Sequence, residues 1–269
     1  MDYAGKRVLV AGGGGNGMGA ATARLAAELG ADVTVFDLRP PAAGKARYVR
    51  VDLGDPAAIE RAVERELEAP LHALFNCQGI AGTAPKTRPG DVVCINLLGV
   101  RHLTECVMPL IPEGGAVASI ASAGGLGWPR RLERIEAFLQ ETTFDGALHW
   151  LETEGADLVT PVFPNAYSFS KQALIVWTMR RAATAITAGV RVNCTSPGST
   201  RTAMAAQFPA EGIGFINRPS GRDSTPDEQA WPLLFLNSEQ ASYVNGVNLS
   251  VDGGHAAARA LGMISAGRA

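Results

Sequence analysis

The stretch VLVAGGGGNGMGAATA, Val8–Ala23, decides the fold. It begins inside a short apolar run, Lys6–Gly12, of the length and character of a buried strand. Six glycines follow between residues 12 and 19. Then GAATARLAAELG, Gly19–Gly30, sets alanine and leucine at helical spacing before a glycine stop. A strand that passes through glycines into a helix turns tightly and lets backbone N–H groups approach a pyrophosphate at the helix N-terminus. A glycine-rich stretch alone is weak evidence, since many are flexible loops. The next strand, ADVTVFD (Ala31–Asp37), strengthens it by ending on an acid 20 residues beyond Gly17. A carboxylate at that place can accept both ribose hydroxyls of NAD and would repel a 2′-phosphate. NAD is therefore the expected cofactor. Arg39, two residues on, leaves NADP as the less favoured alternative, and a solvated turn is the bland reading of Asp37.

Outward from this core the pattern repeats. Further strands are expected at Ala46–Asp52, Leu71–Gly79, Gly114–Ser122, Gly189–Gly198 and Gly246–Gly254. Between them lie helical patterns. Asp55–Leu67 carries Asp55 as N-cap with Pro56 in the first turn. Others run through DVVCINLLGVRHLTECVMPLI, through about Ala166–Thr187, and from near Pro226 with Asp227 and Glu228 in the first turn. Strand and helix alternate, and the strands are apolar on both faces. This predicts a single-domain α/β fold over residues 1–269, a doubly wound parallel sheet of Rossmann type. The tail HAAARALGMISAGRA after Gly254 is expected to be a loose end or an oligomer contact.

Composition narrows the function. Hydrophobic residues make up 46% and charged residues 19% of 269, the balance of a globular chain rather than a disordered one. A net charge of −2 without a basic run argues against nucleic acid as partner. No apolar run reads as long enough to span a bilayer, and the opening MDYAGKRVLVAGG lacks the parts of a secretory signal, so a cytoplasmic location is expected. Cys77, Cys94, Cys106 and Cys194 form no CxxC pair, and the histidines form no HxxxH. Reduced thiols and no metal site are expected.

AYSFSKQALIVW, Ala166–Trp177, carries the chemistry. Tyr167 and Lys171 are four residues apart and share a helix face. A free phenol, with pKa near ~10, is a poor base at neutral pH. A nearby ammonium favours the phenolate, and so would a positively charged nicotinamide ring. A tyrosine tuned in this way can take a proton from an alcohol or return one to a carbonyl. A surface tyrosine beside a solvated lysine is the bland alternative.

The glycine loop, Asp37, NCQG (Asn76–Gly79), Asn96, Ser122, the Tyr167–Lys171 pair and SPGSTRT (Ser196–Thr202) occur in the order of the short-chain dehydrogenase/reductase family, which the chain resembles over nearly its whole length. The resemblance implies that Ser122 hydrogen-bonds the substrate oxygen and that Tyr167 is the acid/base. It implies that Lys171 lowers the phenol pKa and holds the nicotinamide ribose, and that Asn96 positions a water in a proton relay. It also implies cofactor contacts at Gly13, Asn16, Gly17, Met18 and Gly19, with Asp52 and Leu53 at the adenine. Asn76 and Gly79 would shape the adenosine side, and Pro197, Gly198 and Thr202 would hold the carboxamide. A homodimer or homotetramer acting on a small alcohol or ketone is implied as well. The sequence departs from the pattern where the loop is one glycine long, where threonine is missing before the glycines, and where Gln78 stands in NCQG. Ser119 is read as structural.

Ser122 and Tyr167 are 45 residues apart, where the family leaves a dozen or so. The extra segment, about 128–164, shows two helical stripes, Leu132/Ile135/Leu139 and Phe144/Ala147/Leu148/Leu151. It is expected to form a hairpin above the carboxyl ends of the strands, as a lid, an oligomer contact or inert decoration. The insertion with WPRRL, QALIVW and VNGVNLSVDGG resembles the branch that includes coniferyl-alcohol dehydrogenase and 3α-hydroxysteroid dehydrogenase/carbonyl reductase. Leu126, Trp128, Met204 and Phe208 are the expected apolar pocket, implying an uncharged aromatic or polycyclic alcohol. Arg130, Arg131 and Arg201 leave a carboxylated substrate open. The alternatives are an NAD-using epimerase or dehydratase and a non-catalytic dinucleotide sensor.

Overall fold

A computed structural model describes residues 1–160, 162 and 164–264. The first half runs β1 (Arg7–Ala11), α1 (Met18–Glu28), β2 (Asp32–Asp37), β3 (Arg47–Arg50), α2 (Pro56–Glu66), β4 (Ala73–Asn76), α3 (Pro89–Val93), α4 (Gly99–Val107) and β5 (Ala116–Ile120). The second half runs α5 (Leu132–Leu139), α6 (Phe144–Thr153), α7 (Asn165–Ala185), β6 (Arg191–Pro197), α8 (Ala210–Ile216), α9 (Pro226–Leu236), β7 (Asn248–Val251) and α10 (His255–Ala260). The seven strands form one parallel sheet in the order β3-β2-β1-β4-β5-β6-β7. The order reverses beside β1, which opens a crevice at the carboxyl ends of β1 and β4.

Alternation along the strands explains the layers. Val8 and Val10 of β1 face one side, with Val33, Val35, Phe75 and the apolar sides of α1 and α9. Leu9 and Ala11 face the other, with Leu74, Val117 and Val192 beneath α2, α4 and α7. Both faces are apolar because both are covered. The helix starts follow the sequence. Asp55 accepts from the backbone N–H groups of Ala57 and Ala58, and Thr225 with Glu228 forms a capping box at α9. A wide turn, Cys94–Leu98, joins α3 to α4.

The two helical stripes of the insertion do form α5 and α6, but not above the strand ends. They pack sideways on α3, α4 and α7. Phe138 stands edge-on to Phe169 at 5.3 Å and tilts against Trp150 at 5.4 Å. Ile135, Ala147 and Leu151 join Val93, Leu97, Val176 and Trp177 in one core. This is why α7 is apolar nearly all round: the sheet covers one side and the hairpin the other. Residues 161 and 163 of the expected insertion lie outside the described residues.

Two other expectations change. The continuous helix Pro89–Leu110 has the length and mean hydropathy to cross a membrane, contrary to the sequence reading. Its apolar side is built into the core through Val93, Leu97, Val100, Leu103 and Val107. The tail is not wholly loose, for it begins with α10, and residues 265–269 lie outside the described residues.

Candidate active site

The turn between β1 and α1 is shaped by close backbone approach. Gly12 has φ +76°, and a Cβ there would lie 2.3 Å from the Gln78 nitrogen. One at Gly19 would lie 2.1 Å from the Gly12 oxygen. Only bare backbone lets the loop, the end of β4 and the first turn of α1 meet. The rim is pinned by Gly15 N–H donating to Pro40 O at 3.0 Å and Ala42 N–H to Gly15 O at 2.9 Å. Gly17 caps α1 without a side chain, no acid stands in the first turn, and nothing lies within 4 Å of its absent Cβ. The unfilled N–H groups and positive end of α1 thus fit the diphosphate of a dinucleotide. Asp37 is fixed beside them: Oδ2 accepts from Gly14 N at 2.9 Å and Oδ1 from Arg39 N at 3.0 Å.

These groups line a cleft of about 290 Å³. Of the expected contacts, Asn16, Gly17, Met18, Gly19 and Asp37 lie on its wall, and so do Asp52, Leu53, Gly79 and Thr202. Gly13 does not. Its missing Cβ points at Val10 and Val35 about 3.0–3.1 Å away, so it faces the sheet, while Gly12, Gly14 and Gly15 line the cleft. Of the four consecutive glycines, Gly13 alone turns from the cleft. Asn76 also lies beneath the surface, donating to Thr104 Oγ1 at 3.1 Å and Ser119 Oγ at 3.3 Å.

A second cavity of about 330 Å³ adjoins the first across Met18, Cys77, Gln78 and Gly79. Ser122, Tyr167, Lys171, Pro197, Gly198 and Thr202 all meet there. Ser122 follows β5, and its Oγ accepts from Gly124 N at 3.0 Å and is hydrogen-bonded to the Tyr167 hydroxyl. Lys171, one helical turn past Tyr167, is 3% exposed and donates to Ile120 O at 2.8 Å. Its Nζ lies 3.6 Å from where a Cβ on Gly79 would be. Asn96 is fully buried in the wide turn before α4 rather than on the cavity wall. Its Oδ1 accepts from Ile80 N at 2.8 Å, and its Nδ2 donates to Ile80 O at 3.1 Å and Ser170 Oγ at 3.2 Å. It therefore fixes the wall that carries Gly79.

Burial sets the proton affinities. It pulls the Lys171 ammonium down to about 8. It pushes the Tyr167 phenol up, and the hydrogen bond with Ser122 draws it partly back. The net shift of the phenol is upward because desolvation dominates, while the Lys171 ammonium is directed at Ile120 O.

The substrate-side walls differ from the sequence expectation. Met204 and Phe208 line the second cavity, and Phe208 stands edge-on to Tyr167 at 5.2 Å. Leu126 and Trp128 do not line it, and Trp128 packs into the hairpin core. Arg130, Arg131 and Arg201 are also absent from the lining, and Arg131 reaches Gln172 Oε1 at 3.5 Å. No residue of 128–160 contributes, so the hairpin is not a lid. The cover is α8, through Gly212, Ile213 and Ile216. Sequence reasoning missed this helix, whose only signal was the pair Ile213 and Ile216 diluted by two glycines. It noticed Gln78 without placing it. That residue touches both cavities, and its buried amide meets no partner among the described residues.

Comparison with known proteins agrees with this arrangement. The short chain dehydrogenase family profile matches residues 6–131, and the enoyl-(acyl carrier protein) reductase profile matches residues 133–256. Coniferyl-alcohol dehydrogenase of a Pseudomonas species is 32% identical over 260 residues, covering 94% of this chain and 98% of the relative. The crystal structure of a Pseudomonas 3-alpha-hydroxysteroid dehydrogenase complexed with NADH superposes with a TM-score of 0.75 at 28% identity, covering 92% of this chain and 96% of that one. A short chain dehydrogenase from Burkholderia cenocepacia in complex with NADP gives 0.71 at 26%, covering 95% and 99%. With the parallel sheet, the glycine turn and the serine–tyrosine–lysine cluster in one cleft, these matches place the chain in the short-chain dehydrogenase/reductase family of oxidoreductases.

Proposed function

We propose that the protein is an NAD-dependent oxidoreductase interconverting an uncharged aromatic or polycyclic alcohol and its carbonyl compound. The observation that carries this reading is the meeting of Ser122, Tyr167 and Lys171 on one cavity, otherwise walled by apolar and small polar groups, that opens into the glycine-lined cleft. The nicotinamide supplies or accepts the hydride. The chain does the rest. Ser122 Oγ and the Tyr167 hydroxyl, already hydrogen-bonded to each other, converge on the position of the substrate oxygen. Tyr167 gives a proton to that oxygen in reduction and takes one in oxidation. Burial keeps the phenol protonated at neutral pH, which suits the donor role. Lys171 stands beside Gly79, where its ammonium can meet ribose hydroxyls. Met204, Phe208, Ile213 and Ile216 exclude water and receive the apolar body of the substrate. Asp37 favours NAD over NADP by its charge at the rim.

The test is the absorbance of NADH formed from NAD and a panel of cinnamyl alcohol, 1-indanol, ethanol and lactate. Turnover is expected for the first two. Turnover confined to ethanol or lactate overturns the substrate class. In Tyr167→Phe, kcat should fall by roughly 10²–10⁴-fold, the range of general acid–base catalysis, with NADH affinity kept. Retained turnover removes Tyr167 from its role.

A further inference from the structure

The roof of the substrate-side cavity is a short helix, and one buried side chain joins it to the frame of the sheet. That side chain is His255. It opens α10 directly after β7 and two glycines with left-handed backbone, Gly253 (φ 63°) and Gly254 (φ 94°). The residue is 1% exposed. Its imidazole stands edge-on to Phe215 of α8, 5.1 Å between centroids and 87° between planes. A ring N–H faces the backbone carbonyls of Phe215 and Ile216 in the last turn of α8. The other nitrogen, Nδ1, is buried with no hydrogen-bond partner among the described residues. Phe215 is flanked on the same helix by Ile213 and Ile216, which line the cavity. Other links of this stretch, Asn217 Nδ2 to Asp223 and Arg222 to Glu228, lie beyond the helix. Gly253 admits the close approach of Ser220, also beyond it.

We propose that His255 is a positioning residue for substrate binding: its neutral imidazole pins the end of α8 to the β7–α10 corner and so fixes the cavity roof above Tyr167. This rests on reading that cavity as the substrate site. A helix of seven residues with two glycines has little stability of its own. Its position therefore depends on what it is docked to. The ring supplies an aromatic contact to Phe215 and sets a ring N–H beside the carbonyls of the last turn of α8, where the helix's own bonding runs out.

The arrangement is sensitive to acid. Asp252 faces the imidazole from the end of β7, but its carboxylate already accepts from Gly254 N at 3.0 Å and Ala256 N at 2.8 Å. Arg259 faces it from one turn along α10. From the α8 side, Arg218 lies 5.5 Å over the Phe215 ring. A second proton on the ring would find no acceptor at Nδ1 and the Arg259 guanidinium nearby. Burial first, and Arg259 second, hold the group below the ordinary histidine value. The released ring binds a proton more readily than the docked one. Docking is thus complete above the ordinary imidazole value of about 6.5 and weakens as pH falls below it.

The test pairs hydrogen exchange with kinetics in wild type, His255→Leu and His255→Gln, the last retaining a donor near the Nε2 position. In His255→Leu, amide protection over residues 210–216 should fall about tenfold, the equivalent of one lost hydrogen bond, with strand protection unchanged. KM for cinnamyl alcohol should rise about tenfold while kcat and NADH affinity stay within about twofold, as expected when only substrate binding is lost. His255→Gln should recover most of that KM and lose the rise in KM expected of wild type between pH 7.5 and 5.5. Unchanged protection in His255→Leu overturns the proposal, as does a matched fall of kcat and kcat/KM, or an acid-side rise persisting in His255→Gln. If His255→Leu does not fold, the pH profile of His255→Gln decides. If wild type turns over no alcohol, the substrate-site reading fails, while exchange over 210–216 still judges the anchor.

Discussion

Lys171 shows how one side chain can serve chemistry at a cost to the fold. Its ammonium is enclosed by the core, donates to Ile120 O, and is held at about 8 against an ordinary 10.5. The unfolded chain therefore binds this proton more tightly than the folded one. Between about pH 8 and 10.5 the unfolded state carries more protons, so this residue makes stability rise with pH across that window. Below it both states are charged and the burial penalty is constant. Lys171→Met should be more stable than wild type by about 2–3 kcal/mol at pH 7, after allowance for the lost hydrogen bond. The difference should shrink from pH 8 to 10.5. Cys77 and Cys194, pushed up to about 12 by burial, act in the opposite direction at high pH. They are present in both proteins, so the difference between denaturation curves isolates the lysine. A gap that is absent at pH 7, or that widens with pH, contradicts this account. The Tyr167–Lys171 pairing was legible in the sequence because i and i+4 share a face. The direction of the phenol shift was not, because it depends on how much water the surrounding fold removes.

At the scale of elements, local signals were read well and docking was not. Strand alternation, the Asp55 cap and the Thr225–Glu228 box are consequences of neighbouring residues. The two helical stripes of the insertion marked α5 and α6 and most of their buried faces, Ile135, Leu139, Ala147 and Leu151, but not the whole of them. Leu132 is 41% exposed, whereas Phe138 and Trp150, outside the assigned stripes, are buried. A stripe states which side is apolar, not what lies against it. Here the partner was the outer face of α4 and α7, itself too apolar to stay wet. The same limit hid α8, whose residues Gly212 and Gly214 lower helix propensity by about 1 kcal/mol each. Because Phe138 is fully buried between Phe169 and Trp150, Phe138→Ala should cost about 3–5 kcal/mol in urea denaturation. NADH affinity should be unchanged, since the hairpin touches neither the glycine turn nor Asp37. A loss under 1 kcal/mol would mean that the hairpin is not part of the core.

Across the whole molecule, the strand order explains why one ligand can report on the entire fold. β1 meets β2 on one side and β4 on the other, and the two cavities adjoin where that order turns. The adenosine side is built from α1, β2 and the segment after β3. The other side is built from β5, α7 and the segment after β6. A dinucleotide spanning the crevice would cross-link both halves, whereas AMP would touch only the first. At 100 times its dissociation constant, a ligand that binds only the folded state adds about 2.7 kcal/mol. For a chain of this size that corresponds to a rise in Tm of roughly 5–10 °C. NADH should produce that rise, and AMP at equal concentration a smaller one. NADPH should also fall short, because the Asp37 carboxylate, held between Gly14 N and Arg39 N, cannot withdraw from a 2′-phosphate without giving up two hydrogen bonds. Asp37→Ala should close the gap between NADH and NADPH by weakening the first and admitting the second. Were NADPH to raise Tm of the wild type as much as NADH, Arg39, near Gly15 at the cleft rim, would offset Asp37 and the proposed preference for NAD would fall.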